Sequence, residues 1–238
     1  MKKIEIYNVL LFIMGLLLLS LGVVLVVKSD LGISVATSLP YIYSLYFTNL
    51  SFGQWNYIMH GISLILLFLV IKRLTVKHLM SFLVAFLFGI CIDLIGGVLA
   101  FYTANTLIER IILFIISSVF ISIGLAFLIK SDFPILPFDT FIKEVTEVKE
   151  IQYKKFKTAF DLTCFSISLI SSILFFKRIY GIHIGTLVSA LILGSMINYC
   201  LNIMNEYVSG KALISEEKMD RLLEFEFINL SKPKDVVQ

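Results

Sequence analysis

The chain has 238 residues, 58% of them hydrophobic and 16% charged, with a formal net charge of +3 and a mean hydropathy of +0.95. Soluble domains hold about 45–50% apolar and about 25% charged residues, so this balance excludes a soluble globular protein and predicts an integral membrane protein. The small basic excess sits in loops and reports membrane topology, which excludes a nucleic-acid surface.

Apolar runs of about 20 residues, enough to cross about 30 Å of hydrocarbon at 1.5 Å per residue, predict six spans at 8–27, 53–71, 79–101, 110–129, 158–176 and 182–205. Lys28-Ser29-Asp30 follows the first run in place of a small-residue cleavage site, so that run is expected to stay as a span. Between spans one and two, segment 31–52 carries Ser34, Thr37, Ser38 and Pro40 among large apolar residues. It predicts a short interfacial or re-entrant helix. Its counterpart after span four, 133–157, carries Pro134, Pro137, Asp139 and Thr140. The prolines are expected to fix the start of each short helix. Asp139 is either an N-cap or a ligand group.

Span three places Ser81, Ala85, Gly89, Asp93 and Gly97 four residues apart, on one helix face. Span six places Thr186, Ala190, Gly194, Asn198 and Asn202 in the same register. Such small-residue stripes let membrane helices approach closely, so both spans are expected to line the centre through these seams. The tail, 206–238, is polar and charged. A short cytoplasmic helix is expected from Ser215.

The chain repeats itself. Gly22 to Asp30 matches Gly124 to Asp132 at an offset of 102, and Lys72, His78, Ala85 and Gly89 match Lys177, His183, Ala190 and Gly194 at an offset of 105. The expected architecture is an all-α membrane protein of two three-helix repeats, 1–107 and 108–205. Three spans per copy force the second copy to enter the membrane inverted, a plan shared by many secondary transporters. With a cytoplasmic N-terminus, 16 of the 20 Lys and Arg fall inside, a strong positive-inside signal that also makes the C-terminus cytoplasmic.

Aligning the copies pairs Asn56 with Asp161 and Asp93 with Asn198. Each copy then holds one acid and one amide, in exchanged positions, one pair near the outer face and one near the inner. Intramembrane acids cost about 2.5–3.5 kcal/mol on insertion scales and should face protein or water. The two pairs are either gates or relay points of a central cavity, or hydrogen-bonded knots that fix packing. Lys28, Asp30, Lys130, Asp132 and Asp139 would sit at its mouths. His60, alone on span two, is expected to be a packed or interfacial histidine. His78 and His183 are equivalent span-start residues, and Trp55 with Tyr41, Tyr43, Tyr46 and Tyr57 suits an outer aromatic belt. Cys91, Cys164 and Cys200 lack paired spacing and predict neither a disulfide nor a metal site. Nucleotide-binding and catalytic motifs are absent, so no cofactor and no enzymatic activity are expected.

Three stretches carry a family resemblance: Lys28-Ser29-Asp30-Leu31-Gly32-Ile33-Ser34, Leu136-Pro137-Phe138-Asp139-Thr140, and Gly181-Ile182-His183-Ile184-Gly185-Thr186-Leu187 through Gly194. With these the chain resembles the YczE/YyaS/YitT-type bacterial membrane proteins over about 1–205. The resemblance implies a bacterial cell membrane location and the six-span architecture, with no settled biochemical activity. Where that family shows a Pro-Trp-Asp-like element, the first copy here reads Val35-Ala36-Thr37, while the second keeps Pro137-Phe138-Asp139. The leading expectation is a permease-like secondary carrier for a small polar or charged solute. The alternatives are a substrate-capture subunit with an energising partner, and a non-transporting accessory protein. Expected partners are the lipid bilayer, a small solute, and either a second copy or that energising subunit.

Overall fold

The computed structural model describes residues 2–207, and these contain eight α-helices and no strand. They are α1 Lys2–Ser29, α2 Val35–Tyr46, α3 Phe52–Ile71, α4 Val76–Val98, α5 Leu107–Lys130, α6 Pro137–Val148, α7 Tyr153–Phe176 and α8 Ile184–Tyr207. The order long, short, long, long occurs twice. Six of the helices are long and apolar enough to cross a bilayer. Their outer faces carry large bare side chains such as Leu94, Leu174 and Leu191, each more than 60% exposed. In water such a surface would aggregate; in hydrocarbon it needs no cover. The protein is a multi-pass membrane protein. The charged tail and its expected helix from Ser215 lie outside the described residues.

Local chemistry sets the helix ends. Ser51 and Gln54 form a capping box at the start of α3, and Thr106 and Glu109 form another at the start of α5. The repeated Lys-Ser-Asp is a helix stop. Ser29 Oγ donates to Val26 O at 2.6 Å, and Ser131 Oγ donates to Leu128 O at 2.7 Å. Asp30 and Asp132 then turn left-handed, at φ 52° and 56°, a conformation that Asp tolerates better than most residues. Lys72 and Lys177 end α3 and α7 the same way, at φ 57° and 54°.

Both short helices form, with two corrections to their starts. Pro40 lies inside α2, where it removes one helical N–H, and does not mark the start of that helix. Asp139 is not an N-cap: Leu136 occupies that place, Pro137 follows, and Asp139 sits in the first turn. The third span ends at Val98, short of the expected 101, because Leu99–Phe101 turn out of the helix.

The centre is held by α1 and α5, which run antiparallel and share the most extensive helix contact. A Cβ on Gly15 would stand 2.9 Å from Leu128 N, one on Gly22 2.8 Å from Ile121 N, and one on Gly124 2.5 Å from Leu19 N. These are backbone atoms, so only glycine permits the approach. Around this pair, α4 packs on α1 and α8 on α5, α2 packs on α7, and α3 packs on α6. The main apolar core fills the space between them with Val23, Val26, Phe88, Ile92, Ile121 and Leu128.

Gly124→Val should therefore force α1 from α5 at an overpacking cost of about 1–3 kcal/mol or more. The expected outcome is a lower unfolding temperature and loss of monodisperse protein in detergent. Gly96→Ala, at a position with no atom within 4 Å of its Cβ direction, should leave both unchanged.

Candidate functional site

A cavity of about 190 Å³ opens between the first turns of α2 and α6 and the facing sides of α3, α5, α7 and α8. Cavities of about 150 Å³ hold a benzene molecule, so this one admits a small solute. Its walls are mostly apolar, with Leu19, Phe88, Ile121 and Phe160 among them. Its polar groups are Ser34, Thr37, His60, Asp139, Lys157, Asp161 and Ser189.

Thr37 Oγ1 donates back to Ser34 O at 3.2 Å, inside the first turn of α2. Asp161 lies one turn after Lys157 on α7, with Nζ and Oδ2 3.6 Å apart. Asp139 is half-buried beside them. Burial pushes its carboxyl above the usual carboxylate range, and the Lys157 ammonium pulls it partly back. His60 is 3% exposed, its ring centroid lies 4.5 Å from that of Phe138, and its Nδ1 has no hydrogen-bond partner. Buried polar atoms without a partner are uncommon in native proteins.

The two acid–amide pairs are treated unequally. In the first half, α3 crosses α4 where Gly53 meets Gly89: a Cβ on Gly89 would stand 2.5 Å from Gly53 O. Asp93 then closes on the start of α3. It accepts from Ser51 Oγ and, at 2.8 Å, from Gly53 N–H. Asn56 is buried and donates to Phe52 O at 3.3 Å. Its Oδ1 has no partner, so Asp93 meets the start of α3 and not the amide. Among the described residues the matching positions of the second half make no such contact. Asp161 lines the cavity, Asn198 is exposed, and no atom lies within 4 Å of a Cβ on Gly194.

Sequence explains the difference. The residue matching Gly53 is Thr158, whose β-branched side chain leaves no room for a backbone crossing. Helix α7 also starts at Tyr153, ahead of that position, so no free N–H groups wait there for a capping acid. The expected six-residue seam is thus half a seam. Ser81 donates to Ile135 O and lies 3.2 Å from Thr140 Oγ1; Ala85 is buried and Gly89 makes the crossing. Thr186 Oγ1 accepts from Ile33 N–H at 3.1 Å. No atom lies within 4 Å of a Cβ on Gly194, and both Ala190 and Gly194 line the cavity. Span six therefore does not reach the centre through its stripe, because α1 and α5 occupy the centre.

The expected mouth residues are spread out. Asp30 binds Arg110 Nη1 at 2.9 Å and lies 3.7 Å from His183 Nε2. Lys28 Nζ reaches Ala100 O at 3.5 Å. Lys130 and Asp132 stand at the end of α5. None of these four lines the cavity, whereas Asp139 does. His78 ties α4 to α6 through Glu144 at 2.7 Å. Trp55 packs on Tyr43 and Phe47, and Tyr46 stacks on Phe175 at 4.3 Å, so these aromatics join α2, α3 and α7. Among the described residues no group of three His, Cys, Asp or Glu gathers to hold a metal ion.

A model of a family of unknown function, DUF6198, matches residues 6–202. The chain belongs to this family. No curated protein and no solved structure matches it. The family match covers all six spans and the cavity between them, and it assigns no activity.

His60 is the cavity residue that sequence reading undervalued. Its signal was present: Asn56, His60 and Ser63 follow one another at four and three residues, all buried, and so mark one polar face of α3.

Two predictions follow from these contacts. Asp93→Ala removes the side-chain acceptor for Ser51 and Gly53, and should cost about 1–2 kcal/mol, read as a lower unfolding temperature; Asn198→Ala should cost almost nothing. An equal loss at both would contradict the asymmetry. Asp139 binds its proton more tightly in the folded state than when unfolded, so it removes stability as pH rises above the unfolded carboxyl pKa near 3.8 toward its raised folded value. Asp139→Asn should flatten that fall in a pH series of unfolding temperatures.

Proposed function

We propose that the protein is a secondary carrier for a small polar or charged solute, built as two inverted three-span halves with both termini in the cytoplasm of a bacterial cell. The observation that carries this reading is the cavity, which holds Asp139, Lys157 and Asp161 inside a bundle of apolar spans. Ionisable groups are costly there, and where they occur they mark solute or ion paths.

Several contacts support the inverted plan. Gly15 meets Gly124, and the matching pair at an offset of 102, Ser117 and Gly22, meets in turn. Ser81 of α4 binds the loop before α6 at Ile135, and Thr186 of α8 binds the loop before α2 at Ile33. Helix α2 packs on α7 as α6 packs on α3. A two-fold exchange of the halves accounts for all three pairings. The resemblance to the YczE/YyaS/YitT-type proteins stays with the three short stretches that carry it.

In this reading the two acid–amide pairs are gates. The outer gate is shut: Asp93 holds the start of α3, and Gly53 lies on Gly89. The inner gate stands open, with Asp161 and Asn198 apart. Thr158 prevents a backbone crossing there, so the inner gate closes through side chains. Rocking one half against the other would exchange the two states.

The test is flux into proteoliposomes with a trapped pH-sensitive dye, under an imposed pH gradient and a panel of small carboxylates, amines, amino acids and sugars. At least one solute should move with the wild type above protein-free vesicles. Asp161→Asn should reduce that flux about tenfold or more, as expected when one charge-assisted contact is lost. No flux with any solute, from protein that is monodisperse, would overturn the proposal.

A further inference from the structure

The cavity has two chemically different sides. One is the first turn of α2. Its N-cap, Ser34, makes no side-chain cap bond, and the first turn holds no acid. The N–H groups of Val35 and Ala36 have no acceptor within the helix, and both residues line the cavity. The N–H of Thr37 is already used on Ser34 O, at 3.0 Å. A positive helix pole therefore faces the cavity without a counter-charge. Helix α6 also begins there, but Asp139 in its first turn offsets its pole.

The other side carries Asp139 and Asp161 against the single ammonium of Lys157. Two carboxylates and one cation leave one negative charge. His60 supplies an independent observation. It is 3% exposed, it lines the cavity, and its ring has no hydrogen-bond partner. A polar molecule in the cavity would give the ring one.

We infer that the cavity takes a small zwitterion of the amino-acid class, with its carboxylate on the first-turn N–H groups of α2 and its ammonium at Asp139 and Asp161. A lone cation would leave the α2 pole unanswered, and a lone anion would leave the acids unanswered. The volume of about 190 Å³ suits a molecule somewhat larger than benzene, and the apolar walls suit an uncharged side chain. This assignment rests on the carrier reading and names its substrate class.

The experiment is a thermal-shift titration of the purified full-length protein with each of the twenty common amino acids. For the best binder, the matched amine without the carboxylate and the matched acid without the amine follow. At least one amino acid should raise the unfolding temperature saturably. Each matched analogue loses one charge-assisted contact and should bind about tenfold more weakly or worse. Asp161→Asn should weaken amino-acid binding by a similar factor.

Val35→Pro deletes one N–H of the α2 pole. The backbone of Ser34, at φ −59° and ψ 140°, already suits a following proline, and proline is at home in the first helical position. That variant should stay folded and monodisperse and bind the amino acid more weakly. The inference is overturned if the amine or the acid alone binds as tightly as the amino acid, or if no amino acid shifts the protein. Flux of other solutes without amino-acid binding would sink this assignment alone. Amino-acid binding without any flux would sink the carrier reading alone.

Discussion

The bundle depends on one backbone contact, that of α1 against α5. Lipid offers helices no hydrophobic reason to associate, so close packing must hold them. Gly15, Gly22 and Gly124 bring the two backbones within reach of each other, and the other helices take their places from that pair. Helix α4 leans on α1 and α8 on α5. The large apolar residues of the core, Phe88 and Ile92 among them, fill the angles that remain. The contact is antiparallel and made between segments that match in sequence, Gly15 meeting Gly124 and Gly22 meeting Ser117.

That near-symmetry makes the departures informative. Gly53 and Thr158 are one such pair, and Asp93 and Asn198 another. A glycine in the first half allows α3 and α4 to touch backbone to backbone, and an acid can then cap the helix start it meets. In the second half a threonine stands at the matching position, α7 and α8 do not cross, and Asp161 lines the cavity wall. Exchange of acid and amide between the copies follows from which helix begins at the crossing and which continues through it. In the carrier reading, the same difference leaves one side closed and the other open.

Motifs that look chemical in the sequence often serve the backbone. Lys-Ser-Asp is repeated because two helices have to end, and a serine hydroxyl followed by a left-handed aspartate ends them. Asp139 reads in sequence as either a cap or a ligand group; it makes no cap and stands in a cavity wall. His60 reads as a packing residue, yet it carries a buried nitrogen with nothing to bind. Local propensity decides the first case. The other two turn on which helices face each other across the cavity, and no local pattern contains that.

Sequence alone determined the six spans, the two short helices and the duplicated order, because each of these depends on hydropathy, spacing or turn chemistry within some tens of residues. It also aligned Asn56 with Asp161 and Asp93 with Asn198. Which members meet was decided only by tertiary structure: Asp93 meets the start of α3, while Asp161 and Asn198 stand apart. The reason is steric. Whether two membrane helices can touch depends on side-chain bulk at one crossing point, and only the folded bundle shows that α3 and α4 cross at Gly53 and Gly89 while α7 and α8 do not cross.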